Sequence, residues 1–147
     1  MNALLATTDT PAARLTPWLR WASASVFALF GVAKFTAHAS EVSSFRSYGL
    51  PAPDAFVYAI GALEIVGALL LAAGLLTRLA AAALAGDMLA AIVVSGLAKG
   101  EVLSLTLAPA LLVAMIVVCW IGPGHPALDT RLLGRAREGR AGMSPRS

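Results

Sequence analysis

Three ionisable side chains, Lys34, Glu64 and Asp87, lie inside long apolar segments of the sequence. In a membrane helix such a residue costs roughly 2.5 to 3.5 kcal/mol near the helix centre, so it usually faces other helices and marks an ion pair or a polar pathway. Pairing of two helices, proton movement and binding of a polar ligand are the roles that these residue types support. Lys34, Glu64 and Asp87 are therefore the candidate site residues.

The depths of Lys34 and Glu64 predict that their side chains meet. Lys34 lies roughly 9 Å, and Glu64 roughly 3 Å, outward of the midpoint of its own apolar segment. A lysine stem covers that difference, and Gly31, Gly61 and Gly67 allow the two helices to approach closely. Two interpretations stay open. The pair either only connects the two helices, or Glu64 moves protons or binds a polar ligand while Lys34 sets its protonation.

Asp87 lies near the middle of the third apolar segment, where the sequence places no cation at its depth. We expect its carboxyl group to be protonated, hydrogen-bonded to a neighbouring helix or exposed to a water-filled cavity. A proton shared with Glu64 is the more specific alternative, because the two depths differ by only about 5 Å if their helices are neighbours.

The composition predicts that these residues are positioned by a membrane protein. Hydrophobic residues make up 59% of the 147-residue chain and charged residues 13%, whereas soluble domains are about half apolar and about a quarter charged. Most of the net charge of +3 comes from the basic segment after residue 130. That distribution excludes a nucleic-acid-binding face.

Four segments reach the length of about 20 apolar residues that a transmembrane helix needs. They predict an all-α integral membrane bundle with transmembrane helices at residues 18–37, 56–76, 79–98 and 102–121. The transmembrane domain is then 18–121. An N-terminal segment, 1–17, precedes it, and a basic, largely flexible tail, 122–147, follows it and is expected to lie against anionic headgroups.

The distribution of basic residues predicts that both termini are cytoplasmic, in a bacterial-type plasma membrane crossed several times. Cytoplasmic segments retain Lys and Arg during insertion. With both termini inside, the outer loops hold only Arg46 and Lys99. The inner side then holds Arg14, Arg20, Arg78, Arg131, Arg135, Arg137, Arg140 and Arg146.

A cleavable signal peptide is the alternative interpretation of the N-terminus. Arg14 and Arg20 precede an apolar stretch, and Ala37-His38-Ala39 resembles a cleavage site. Cleavage would leave three spans and place one terminus outside.

Other residue types limit the cofactors. The single cysteine, Cys119, excludes an internal disulfide, a CxxC pair and any cysteine-built metal cluster. His38 and His125 fall on opposite sides of the membrane, which excludes a haem held between them. No metal site and no cofactor is evident, and the chain shows no nucleotide-binding loop or catalytic triad.

Two further segments influence packing. Pro109 in the fourth span removes a helical hydrogen bond, for which Ser104 and Thr106 are positioned to compensate. The segment 38–54 is expected to form a short lid over the region of Lys34 and Glu64.

Several short motifs occur in an order that resembles the DoxX family, over about residues 18–129. They are Gly31-Val32-Ala33-Lys34-Phe35, Gly49-Leu50-Pro51-Ala52-Pro53, Gly61-Ala62-Leu63-Glu64, Gly67, Gly74-Leu75-Leu76-Thr77-Arg78, Gly122-Pro123-Gly124 and Leu128-Asp129. The resemblance implies a four-helix membrane unit. It also implies a link to sulfur or thiol oxidation, to quinone-coupled redox complexes or to protection from oxidants.

Three functional hypotheses follow. The first is a membrane subunit that supports redox or thiol homeostasis through a soluble oxidoreductase partner or a second copy of itself, without a complete active site. The second is a small proton-coupled or small-solute carrier that uses Lys34, Glu64 and Asp87. The third is a quinone-linked oxidoreductase subunit, for which a quinone would be the cofactor. The sequence favours a protein that is not itself an enzyme.

Overall fold

The computed structural model describes residues 14–97 and 99–132, and every regular element in those ranges is helical. The helices are α1 (Thr16–Thr36), α2 (His38–Ser47), α3 (Pro53–Ala73), α4 (Thr77–Ala91), which continues as a π-helical segment (Ile92–Leu97), and α5 (Val102–Ile121).

Local sequence explains where these helices begin and end. Pro17 and Pro53 stand in the first turns of α1 and α3, where a proline loses no helical hydrogen bond. Gly74 ends α3 in the left-handed conformation, with φ of 66°, and Leu75 N–H donates to Leu70 O at 2.9 Å. This arrangement is typical of a glycine-terminated helix. It allows α4 to begin at Thr77, close to the end of α3.

Three of the described helices are long and apolar enough to cross a membrane: Pro53–Ala73, Thr77–Leu97 and Val102–Ile121. The pair α1 and α2 supplies a fourth candidate, bent by 94° between the two helices. Large apolar side chains such as Trp18, Leu29 and Trp120 are exposed on the outside of the bundle. Such a surface is stable against lipid and unfavourable in water.

The helices pack as two close pairs, α1 against α3 and α4 against α5. The core between them contains Phe27, Leu71, Leu84, Met115 and Val118, all with exposures of 0%. Gly67 of α3 contacts Leu84 of α4 so closely that an added Cβ would lie 2.9 Å from the leucine side chain. The predicted all-α membrane bundle is therefore confirmed.

The helices differ in detail from the predicted segments. The chain turns after Thr36 into α2, a polar helix within the segment that was expected to be a lid. Its serines, Glu41 and Arg46 make it too polar to extend α1 through lipid. Helix α3 begins and ends three residues before the predicted 56–76. The predicted side of each terminus remains a prediction, and residues 1–13 and 133–147, which hold most of both flanking segments, lie outside the described residues.

The prediction that Ser104 and Thr106 compensate for the hydrogen bond that Pro109 removes is wrong. The Thr106 hydroxyl donates to Val102 O at 2.8 Å, and Ser104 donates to Glu101 Oε2 at 2.7 Å. Neither hydroxyl replaces the hydrogen bond that Pro109 removes, because both find partners nearer the start of α5.

Candidate functional site

Lys34 and Glu64 form an ion pair between α1 and α3. Lys34 Nζ lies 3.1 Å from Glu64 Oε1 and 3.0 Å from Oε2, so the ammonium donates to both carboxylate oxygens. The side chains are 13% and 3% exposed. A charge at this depth in a bundle is stable only when paired and hydrogen-bonded. The structure thus brings together the two residues whose contact the sequence predicted.

Two glycines allow this contact. An added Cβ at Gly31 would lie 2.7 Å from Ile65 Cγ1 and 3.0 Å from Gly61 O. At Gly61 it would lie 3.1 Å from Lys34 Cβ. Because neither glycine carries a side chain, the backbones of α1 and α3 come close enough for the lysine to reach the glutamate.

Asp87 of α4 lies beside this pair. Lys34 acts on its carboxyl group through its charge and Glu64 through a side-chain hydrogen bond, although the sequence depths placed no cation there. Lys34 reaches Asp87 despite its different depth because the lysine stem carries its ammonium well away from its own Cα atom. Asp87 Oδ2 is buried and has no hydrogen-bond partner among the described residues. The three candidate residues therefore form one polar cluster shared by α1, α3 and α4.

The cluster lies in the wall of a cavity of about 250 Å³. The other walls are mainly apolar and aromatic, and α2 contributes Glu41 and Phe45 to the lining. Ligand sites are typically concave, apolar and supplied with a few polar groups, at roughly 300 to 1,000 Å³. At about 250 Å³ this cavity is slightly smaller than that range. Its remaining walls come from Phe27, Phe30, Phe45, Leu50, Phe56, Ile60, Met88, Ala90, Ala91, Val94, Leu103, Leu107, Ala108 and Leu111.

A second polar group lines the same cavity near the start of α5. Glu101 Oε2 accepts hydrogen bonds from Ser104 at 2.7 Å and from Tyr48 Oη at 3.5 Å. The hydroxyls of Ser104 and Ser95 are 2.7 Å apart. Burial, and then the negative charge of Glu101, raise the pKa of Tyr48, so its phenol stays protonated and can donate. Sequence reasoning had assigned no role in a site to these residues.

The π-helical segment brings Ser95 into this group. A π-helix contains more residues per turn than an α-helix and is often found at functional sites. Here it spans Ile92–Leu97, and Ser95 and Gly96 are buried against α5. An added Cβ at Gly96 would lie 3.0 Å from Leu105. The small residues Ser95 and Gly96, within an otherwise apolar run, are the only sequence signal that could have indicated this contact.

Helix α2 is held over the cavity by contacts at its first residue. His38 Nε2 lies 3.4 Å from Asp54 Oδ1, and the His38 ring stacks on Tyr58 with centroids 4.4 Å apart. Val42 is buried, and Glu41 and Phe45 line the cavity. His38 therefore anchors α2 to α3 and lies at the opposite end of the bundle from His125, which follows α5.

The end of the bundle that holds His125 has a structural role. Asp129 Oδ1 and Oδ2 accept hydrogen bonds from the backbone N–H groups of Leu76 and Thr77, at 2.8 and 2.9 Å. Arg20 donates to the carbonyl oxygens of Pro123 and Pro126. Arg20 had been considered only as a topology signal. It is 1% exposed and connects α1 to the segment after α5.

Ligands for a metal are sparse in the described ranges. No group of three or more His, Cys, Asp or Glu side chains is close enough there to hold a metal ion. Cys119 lies in a separate groove with Arg78 and Trp120, away from the polar cluster. The chemistry available at the cavity is therefore that of one ammonium, four carboxyl groups, Tyr48 and two serine hydroxyls.

Comparison with known proteins places this architecture in a family. The family model described as DoxX matches residues 16–97, more than half of the chain. The chain is 38% identical over 109 residues to the uncharacterized membrane protein Rv3486 of Mycobacterium tuberculosis, an alignment that covers 63% of this chain and 64% of that protein. The chain thus spans slightly less than two thirds of that relative's length. No solved structure matches the chain significantly. The motifs, the helical membrane bundle and the family match together show that the chain belongs to the DoxX family.

Proposed function

We propose that this protein is a membrane-embedded binding subunit that holds a small molecule and supports redox or thiol homeostasis together with a partner protein. The observation that carries the proposal is the cavity in which Lys34, Glu64 and Asp87 face aromatic and aliphatic walls. The redox and thiol context comes from the family resemblance.

The walls indicate the general character of the ligand. Apolar side chains such as Phe27, Phe30 and Leu111 surround most of the space and would stabilise an apolar body by removing it from water. The polar cluster at one side would orient a charged or hydrogen-bonding group. A small molecule with an apolar body and one polar group fits this distribution.

The accessory role follows from where the redox-capable residue lies. Thiol and disulfide exchange within one chain needs two cysteines, and this chain has one. Cys119 lies in the groove beside Trp120 and does not line the cavity. We infer that the electrons of any redox reaction come from a partner or from the bound molecule.

Mass spectrometry of the protein, gently extracted from its native membrane, tests this function by identifying bound proteins and small molecules together. Recovery of an oxidoreductase in fixed stoichiometry supports the subunit. The matched variants are Ala90→Phe, which adds a ring to the cavity wall, and Ala110→Phe, at an exposed position of α5 outside it. The small molecule should be lost only from Ala90→Phe. A purified protein that oxidises thiosulfate or reduces quinone unaided would contradict the accessory role.

A proton-coupled carrier is the second candidate, and one observation favours it. Four carboxyl groups line the same cavity, those of Glu64 and Asp87 on the long apolar helices α3 and α4 and those of Glu41 in α2 and Glu101 just before α5. Groups placed in this way could pass protons or a polar solute between them. Uptake into liposomes that is abolished by Glu64→Gln and retained by Ala110→Phe, a change outside the cavity, would support the carrier. Uptake that is unchanged by Glu64→Gln would exclude this route.

A further inference from the structure

The cavity contains more carboxyl groups than ammonium groups. Four carboxyl groups line it, those of Glu41, Glu64, Asp87 and Glu101, against one ammonium, that of Lys34. Both oxygens of Glu64 accept hydrogen bonds from Lys34, which takes up two of the three N–H donors of that ammonium. The carboxyl groups of Asp87, Glu41 and Glu101 remain without a directly paired cation among the described residues.

Among these carboxyl groups, that of Asp87 has the strongest need of a hydrogen-bond partner from a ligand. It lines the cavity, and its buried Oδ2 has no hydrogen-bond partner among the described residues. A buried polar atom of this kind is unfavourable unless a partner reaches it. A ligand in the cavity can supply that partner, whereas Lys34 is already engaged with Glu64.

The aromatic side chains complement the same charge. Four phenylalanine rings and Tyr48 line the same cavity as the carboxyl groups. The face of an aromatic ring attracts a cation, and the attraction is strongest where water is excluded. Aromatic walls with carboxyl groups are the usual surroundings of an organic ammonium ion in a binding site. The four rings belong to Phe27, Phe30, Phe45 and Phe56.

We propose that the ligand is a small organic ammonium ion with an apolar body, whose charge is held by Asp87. This inference rests on the proposed binding function of the cavity and deepens it by naming the ligand class. The surplus of carboxyl groups disfavours an inorganic anion such as thiosulfate, because like charges in a poorly solvated cavity repel. A neutral ligand would leave Asp87 without a counter-charge.

Benzylammonium and ethylbenzene provide the test, because they share a shape, differ in charge, and only the cation has N–H groups that can donate to Asp87 Oδ2. Binding of each to the protein in lipid nanodiscs is measured by calorimetry, with empty nanodiscs to subtract partition into lipid. We expect the cation to bind roughly tenfold or more tightly than the neutral compound. Asp87→Asn should remove that preference, and Ala110→Phe, which changes an exposed position of α5 outside the cavity, should retain it.

The outcomes separate this inference from the function on which it rests. Equal or tighter binding of ethylbenzene, weakened by Ala90→Phe, would overturn the ammonium class and leave the binding function in place. If neither the wild type nor Ala90→Phe binds either compound, both the ammonium class and the binding function are overturned. If Asp87→Asn fails to fold, Asp87→Ser is the second variant. An unchanged preference in a folded Asp87 variant would also overturn the inference, whereas Glu101→Gln should keep the preference.

Discussion

Lys34 Nζ lies within 3.1 Å of both carboxylate oxygens of Glu64, and this contact joins α1 to α3 in the wall of the cavity. The glutamate side chain is 3% exposed, so its charge depends on the lysine for compensation. The pair thus connects two helices and forms part of the surface that a ligand would meet. Stability and binding measurements on the same variants can distinguish these two roles.

The connecting role predicts that breaking the pair destabilises the bundle. Lys34→Met or Glu64→Gln alone should lower the free energy of unfolding by about 3 kcal/mol, because each leaves one buried charged partner behind. The double variant Lys34→Met with Glu64→Met should recover most of that loss, because both charges are then absent. Thermal unfolding in detergent, followed by tryptophan fluorescence, measures all three. Single variants as stable as the wild type would show that the pair does not connect the helices.

The crossing of α1 and α3 predicts opposite effects for two glycines. Gly31→Ala should destabilise the protein by about 1 to 3 kcal/mol, because the new Cβ would contact Ile65 and the carbonyl oxygen of Gly61 too closely. Gly86→Ala meets nothing within 4 Å. It should be neutral or stabilise the helix by up to about 1 kcal/mol. Equal unfolding temperatures for the two variants would contradict the close crossing.

The cap on α4 predicts a graded series at Asp129. Asp129→Ala should lower the free energy of unfolding by about 1 to 2 kcal/mol, because the N–H groups of Leu76 and Thr77 lose their acceptors. Asp129→Asn keeps one acceptor oxygen and should lie between the alanine variant and the wild type. Chemical denaturation gives the order. Asn and Ala variants with the same stability would show that the cap contributes little.

The setting of Tyr48 predicts how stability changes at high pH. Burial and the neighbouring Glu101 raise the pKa of Tyr48, so the folded protein retains the phenol proton at a pH where the unfolded chain has lost it. This contribution is complete below about pH 10 and is lost as the pH rises through the folded pKa. The chain has two tyrosines, so absorbance titration of Tyr58→Phe reports Tyr48 alone. Glu101→Gln in that background should move the titration to lower pH. No movement would show that Glu101 does not act on the phenol.

The polar pair could be predicted from sequence because its signals are local and strong. An ionisable residue in an apolar run is rare, and a rise of about 1.5 Å per residue converts position into depth. The glycines next to Lys34 and Glu64 then indicated a close helix crossing. The sequence predicted Asp87 within about 5 Å of the level of Glu64, but its electrostatic interaction with Lys34 depends on the path of a flexible side chain, which depth along a helix axis does not describe.

The second half of the cavity could not be predicted in the same way. Helix α2 is short and polar, so hydropathy gives no signal for it, and its position depends on the contact of His38 with Asp54 and Tyr58. Glu101 has the sequence appearance of an ordinary loop residue. Its meeting with Tyr48 depends on tertiary packing, and a π-helical segment changes helical register without a distinct pattern in the residues.

Accessibility of the cavity is the central claim, and cysteine labelling measures it without knowledge of the ligand. In a Cys119→Ser background, Val94→Cys places a thiol in the cavity wall, and Val93→Cys places one on the outer surface of α4, where Val93 is 52% exposed. The reagent is a methanethiosulfonate that carries a trimethylammonium group, and each rate is compared with that of the denatured protein. The account predicts rapid labelling of Val94→Cys, slow labelling of lipid-facing Val93→Cys, and loss of the rapid reaction when Ala90→Phe is added. Equal rates at the two positions, or a Val94→Cys rate that Ala90→Phe does not change, would contradict it.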